Sequence, residues 1–215
     1  MLDHTVPGVK QPNKYSCGAA CCLYIMRMLR VAEDDDTVET IMPGLRTIPG
    51  FDTFGSSPRN IGNLILERSR SHGRAGVSVR RGSGRSHWGG RFYLSFVEPG
   101  RAQFPTSGLA QAASSPDWNR GTAVTAYPDL AILRGLVAKH GSWKEAHWVV
   151  QTHNNGQTKV MDPSGPVINA GAGEVLVQTV PSFQEWMNGW REARPTFDLS
   201  SIHFHSNGLD LEITG

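Results

Sequence analysis

The chain is short of the features that would place it at once. Its formal net charge is only +2 over 215 residues, so the overall balance singles out no nucleic acid, membrane surface or acidic partner. No apolar run approaches the ~20 residues of a membrane-spanning helix. The start, Met1-Leu2-Asp3-His4-Thr5, lacks the basic residues and apolar stretch of a secretory signal, and a cytoplasmic setting is expected. Cysteine is scarce: Cys17, Cys21 and Cys22 are the full set. Three thiols crowded within six positions build no disulfide framework and match no common zinc spacing. Two helix positions four apart, such as 17 and 21, are poorly placed for a relaxed disulfide. No metal and no cofactor are expected.

What remains describes one folded unit. A hydrophobic share of 39% and a charged share of 19% belong to a globular chain rather than a disordered one. The length serves one sizeable core with at most a small lobe, and 24 glycines with 13 prolines imply many loops.

The most informative stretch runs from Lys10 to Met26. From Cys17 onward Ala20, Leu23, Tyr24, Met26 and Leu29 fall at helical spacing, which predicts a buried helix opening at Cys17. A thiol there meets the positive end of the helix dipole and unpaired backbone N–H groups, and both favour the nucleophilic thiolate. The N–H of Cys17 and the side-chain amide of Gln11, six residues earlier, are candidate donors to an oxyanion. Cys21 and Cys22 read as small core residues.

A base for that thiol has to come from elsewhere in the chain. Ala146 to His153 is β-branched and aromatic, Asn154-Asn155-Gly156-Gln157 is a turn, and Thr158 to Asp162 is a returning strand. Folding this pair about Asn155-Gly156 brings His147 near Asp162-Pro163, where a carboxylate can orient the imidazole and stabilise its charged form.

Gln-x5-Cys-Gly-x-Ala, then Ala-His-Trp-Val-Val, then Val-x-Asp-Pro resembles the papain-like cysteine peptidases, closest to the C39 and C39-like branch that trims peptides after double glycine. The resemblance implies an α+β, papain-like fold: a nucleophile helix in the N-terminal part packed on an antiparallel sheet that carries the histidine and the aspartate. It implies that Cys17 attacks, His147 is the base, Asp162 orients it, and Gln11 lines the oxyanion hole. The segment from Val180 to Trp190 is similar to the family's closing helix, which packs an aromatic against the sheet. The match covers roughly residues 7–30 and 122–190.

Within that resemblance, the implied activity is hydrolysis of a protein or peptide through a Cys17 thioester, after Gly-Gly. A free-standing enzyme of this type also resembles bacterial toxin domains delivered into a competitor by a specialised secretion system, which require a cognate immunity protein over the cleft. A deamidase or acyltransferase using the same thioester, and an inactive binding module, are the alternatives. Neither a membrane nor a nucleic acid is an expected partner.

The rest of the chain reads as one catalytic domain over residues 1–215, with an Arg/Gly/Ser-rich insertion at about 75–121 and a C-terminal β tail at about 196–215. Glu33 to Asp36 reads as the acidic lead into a second helix through Ile41, stopped by Pro43-Gly44. A calcium loop is the weaker reading, because the spacing and glycine of an EF-hand are absent. Ser57-Pro58 opens a third helix through Arg68. From Arg68 to Val97 there are seven arginines and no acidic residue; a solvated loop, a contact for an acidic protein and a nucleic-acid surface compete there, in that order. Strands are expected at 76–80, 91–97, 121–127 and 175–179, and Leu130 to Ala138 as a short helix or covering loop. Residues 202–205 and 209–213 are expected to pair as a hairpin about Ser206-Asn207-Gly208. His203 and His205 would share a strand face there, exposed rather than metal-binding for want of a third ligand.

Overall fold

The computed structural model describes residues 2–46, 56, 58–74, 77–81, 130–140, 143–154, 156–193, 203–204 and 211–214. Helices and antiparallel sheets are mixed in it, an α+β arrangement. The helices are α1 (Cys17–Leu29), α2 (Val38–Leu45), α3 (Pro58–Ser71) and α4 (Phe183–Glu192). The strands are β1 (Gly8–Val9), β2 (Ser78–Arg81), β3 (Leu130–His140), β4 (Trp143–Asn154), β5 (Gln157–Met161), β6 (Val167–Asn169), β7 (Glu174–Val175), β8 (Val177–Val180), β9 (His203–Phe204) and β10 (Leu211–Thr214). The large sheet runs β2-β10-β3-β4-β5-β8, with β9 also paired to β3, and a small sheet runs β1-β7-β6.

Strand β4 organises the core because its two faces are covered by different helices. Trp148 and Val150 point into the cluster built on α1, together with Met161 of β5. Val149 and Val160 point the other way, onto Phe183, Trp186, Met187 and Trp190 of α4. Side chains alternate across a strand, so His147 takes the parity of Val149 and Asp162 that of Val160, towards α4. Helix α1 is buried on nearly all sides, only Arg27 of its thirteen residues being partly exposed. That explains a helix with almost no polar face. Arg134 on β3 is buried; its Nε donates to Gln151 Oε1 (2.7 Å) and its guanidinium lies 4.8 Å from the centre of the Phe183 ring of α4.

Several expectations meet the structure directly. The helices opening at Cys17, near Val38 and at Pro58 are present, as is the β4–β5 hairpin, whose register pairs Asn154 with Gln157 across Asn155-Gly156. Gly156 has φ 77°, the left-handed conformation such two-residue turns require. Pro43 does not stop α2; it lies inside it, and the helix continues to the buried Leu45. Leu130 to Ala138 is not a helix or covering loop but part of an eleven-residue strand paired along its length with β4. A short apolar run fits either period, and the pairing available from β4 decides it. The tail strands do not pair with each other as a hairpin: β10 zips onto Leu130–Leu133 and onto β2, while β9 zips onto Leu136–Val137. An eleven-residue β3 has room on its second edge for both. The single strand expected at 175–179 is split at Leu176 between the two sheets.

Most of the expected insertion and the strands at 91–97 and 121–127 lie outside the described residues, as does His205. Among the described residues, no helix is long and apolar enough to cross a membrane.

Candidate active site

The site begins at the entry to α1. Ser16 stands at the N-cap position, but its hydroxyl turns back to the preceding loop, donating to Asn13 O (2.9 Å) and accepting from Asn13 N–H (3.2 Å). No side chain caps the helix and no acidic residue lies in its first turn. The first-turn N–H groups, that of Cys17 among them, therefore keep the positive end of the dipole. Gly18 follows because nothing larger fits. A Cβ there would stand 2.5 Å from Ser56 Cβ and 3.0 Å from Trp148 Cδ1.

The three thiols divide sharply. Burial pushes those of Cys21 and Cys22 well above the ordinary range, so both stay protonated. Cys21 Sγ donates to Trp148 O (3.3 Å), which ties α1 to β4 beside His147. Cys17 is different. Only 3% of its surface is exposed, and it stands beside the His147 ring, whose pKa it helps to raise.

Asp162 is held by a local turn. In Asp162-Pro163-Ser164-Gly165 the N–H of Gly165 donates to Asp162 O (2.8 Å), a β-turn with aspartate, proline and glycine where such turns favour them. The Asp162 side chain folds over this turn: Oδ1 accepts from Ser164 N–H (2.8 Å) and Ser164 Oγ (2.7 Å). His147 Nε2 donates to the same oxygen at 2.8 Å. Burial penalises the carboxylate, but the hydrogen bond and charge of His147 and the two Ser164 donors outweigh it, bringing the Asp162 pKa down to about 2. At neutral pH Asp162 is thus an ionised acceptor, and the proton between the two residues sits on Nε2. Burial likewise penalises a charged imidazole, yet hydrogen bonds to Asp162 and Cys17 and their negative charge raise the His147 pKa to about 9. With Nε2 committed to Asp162, Nδ1 is the ring nitrogen left for Cys17.

Two further residues complete the surroundings. The Gln11 backbone N–H donates to Pro163 O (3.0 Å), which pins the oxyanion candidate to the turn that holds Asp162. One Nε2 hydrogen of Gln11 goes to Asn13 O (3.0 Å), and the amide has a second. Trp190 of α4 donates from Nε1 to Asp162 Oδ2 (3.1 Å) and stacks on His147, with ring centres 6.0 Å apart and planes 14° from parallel. The structure thus brings Gln11, Cys17, His147 and Asp162 together, and adds Ser164 and Trp190. The aromatic character of α4 was visible in the sequence; that the indole N–H reaches a carboxylate 28 positions earlier was not.

Other polar clusters are of a different kind. Ligand atoms of Glu33, Asp35 and Asp36 lie within 4.8 Å of one another, but the Arg68 guanidinium pairs with Glu33 and, at 2.9 Å, with Asp36, supplying a cation from the chain itself. A cavity of about 430 Å³ between α2 and α3, lined in part by Asp36, Asn60, Asn63 and Arg68, contains none of the residues around Cys17. No protein-family model matches the chain, and no curated protein matches its sequence.

Proposed function

We propose that this chain is a papain-like cysteine peptidase of the C39-like kind, with Cys17 as nucleophile. The observation that carries the reading is His147 held between an ionised carboxylate, which takes its Nε2 hydrogen bond, and Cys17, which helps to raise its pKa. A histidine that holds its proton up to about pH 9 keeps an imidazolium beside the nucleophile at physiological pH.

The steps follow from that pair. The Cys17 sulfur bonds to the scissile carbonyl carbon, and the carbonyl oxygen takes up charge facing the Cys17 N–H and the Gln11 amide. As the tetrahedral centre collapses the C–N bond breaks, and His147 gives its Nδ1 proton to the departing amine. His147, now neutral, takes a proton from a water that attacks the thioester, and release of the acid regenerates the thiolate–imidazolium pair. Asp162 stays ionised throughout, stabilising the imidazolium and fixing its orientation.

The buried nucleophile bears on the substrate. With Cys17 3% exposed, a side chain beside the scissile bond has little room, and Gly-Gly before the cut satisfies that limit by steric exclusion of anything larger. In its delivered form, such an enzyme needs an immunity protein that covers this opening.

The test is a peptide library presented to the purified full chain, with products read by mass spectrometry. Cleavage after Gly-Gly is expected, blocked by valine at either glycine and abolished by Cys17→Ala, while Cys21→Ala keeps turnover. Loss of ammonia from a glutamine without backbone cleavage identifies a deamidase instead. A thiol-reactive probe that fails to prefer Cys17 marks an inactive binding module.

A further inference from the structure

The β4–β5 register, carried three residues beyond the Val150–Met161 pair, sets Ser164 rather than Asp162 level with His147. Ser164 uses that place to act on the carboxylate. Its N–H and its hydroxyl donate to Asp162 Oδ1 at 2.8 and 2.7 Å, the oxygen that also accepts from His147 Nε2 at 2.8 Å. Its Oγ lies 3.5 Å from His147 Nε2, too far for a good hydrogen bond, and its proton is already committed to Asp162. Ser164 is exposed. An exposed hydroxyl can bond to water, so burial does not force its aim at Asp162.

We infer that Ser164 is a positioning residue: its two donors fix the Asp162 carboxylate and share Oδ1 with the imidazole, limiting the negative charge that Asp162 presents to His147. The catalytic meaning of this rests on the function proposed above; the effect on the histidine rests on the contacts alone. If Oγ is removed, Ser164 N–H and Trp190 Nε1–H still hold the carboxylate, so charge changes more than geometry. A carboxylate with one donor fewer keeps more charge for the imidazolium, and His147 retains its proton to higher pH. Among the described side chains, the other groups around His147 come from α1 and α4. Cys17 faces it from α1, with Cys21 one turn behind and coupled to Cys17 and Asp162; α4 contributes the uncharged indole of Trp190. From β3 the residue opposite in the backbone register is Leu136.

The test is an NMR titration of the His147 ring in the full chain labelled with 13C-histidine, its signal assigned by its loss in His147→Gln. Ser164→Ala is expected to raise the His147 pKa by about half a unit, a roughly threefold gain in proton affinity, and Ser164→Thr, which keeps the hydroxyl, to restore it. An unmoved or lowered value in Ser164→Ala overturns the inference, as does Ser164→Thr behaving like alanine. The rate of Cys17 alkylation by iodoacetate, followed in parallel, reads the catalytic proposal separately. A Cys17 no faster at pH 6 than a free thiol sinks that proposal, and the titration still decides the role of Ser164.

Discussion

Cys17, Cys21 and Cys22 share a helix and a side-chain type, and their surroundings alone separate them. Cys21 and Cys22 are buried thiols pushed up by desolvation, whereas Cys17 meets an imidazole. Gln11 shows the same dependence on place. Its backbone is tied to Pro163 and one amide hydrogen to Asn13, so the remaining hydrogen can serve an oxyanion without reorganising the loop. Gln11→Ala should lower kcat about 100- to 1,000-fold with little change in KM, because the donor acts on charge that develops only at the transition state. Steady-state kinetics on a cleaved peptide check this, and a loss confined to KM would make Gln11 a substrate-positioning residue instead. Gln11, Cys17, His147 and Asp162 are legible as a set because each lies in or beside a stretch with a recognisable local signature: a helix start, a β-branched strand, an Asp-Pro turn. Ser164 and Trp190 are not. One depends on how Asp162 folds over its own turn, the other on which way α4 rolls against the sheet, and neither is a property of local sequence.

At the scale of elements, the site is the meeting of α1 with β4, and Gly18 sets how closely they meet. A methyl group at 18 would overlap Ser56 Cβ and Oγ at 2.5 and 2.6 Å and press on Trp148 Cδ1 at 3.0 Å. The Ser56 Cβ is not the far end of a flexible side chain, and Trp148 is buried and flanked by His147, so relief requires α1 or its neighbours to shift. Gly18→Ala should therefore destabilise by about 1–3 kcal/mol, the usual cost of overpacking, and should also slow turnover, since any shift of α1 moves Cys17 relative to His147. Denaturant unfolding together with kcat/KM measures both, and a variant of wild-type stability and activity would mean that α1 and β4 are not held as described. The elements themselves were partly readable. α1, α3 and the β4–β5 hairpin carry strong local signals: an apolar run at helical spacing, a Ser-Pro start, and an Asn-Gly turn between β-branched strands. Strand β3 was misread because Leu130 to Ala138 has no turn signal to bound it, and its conformation is decided by partners far away in sequence. The pairing of β9 and β10 with β3, rather than with each other, is non-local in the same way.

For the molecule as a whole, the pair His147–Asp162 couples stability to pH. His147 has its pKa raised from 6.5 to about 9 in the fold, so its contribution is complete below about 6.5 and is lost as pH rises through 9. Asp162 has its pKa lowered from 3.8 to about 2, so its contribution is complete above about 3.8 and is lost as pH falls through 2. Both describe one interaction seen from its two partners, so they are not to be added. They bound a common window, roughly pH 4 to 6.5, in which the pair stabilises the fold fully. Other groups also titrate below that window, among them Asp3, held at about 2 by hydrogen bonds from Thr5 and by Arg30. The alkaline side is the cleaner one. Asp162→Asn removes the negative charge that keeps the proton on His147, so the variant should lose the part of the stability slope between about pH 6.5 and 9 that the wild type owes to this pair. Melting temperatures of the two proteins across pH 5 to 9.5 are expected to lie furthest apart near pH 6 and to converge towards pH 9. Curves that stay parallel over that range would mean that the imidazolium is not held by Asp162, and the charge arrangement assigned to the site would have to be given up.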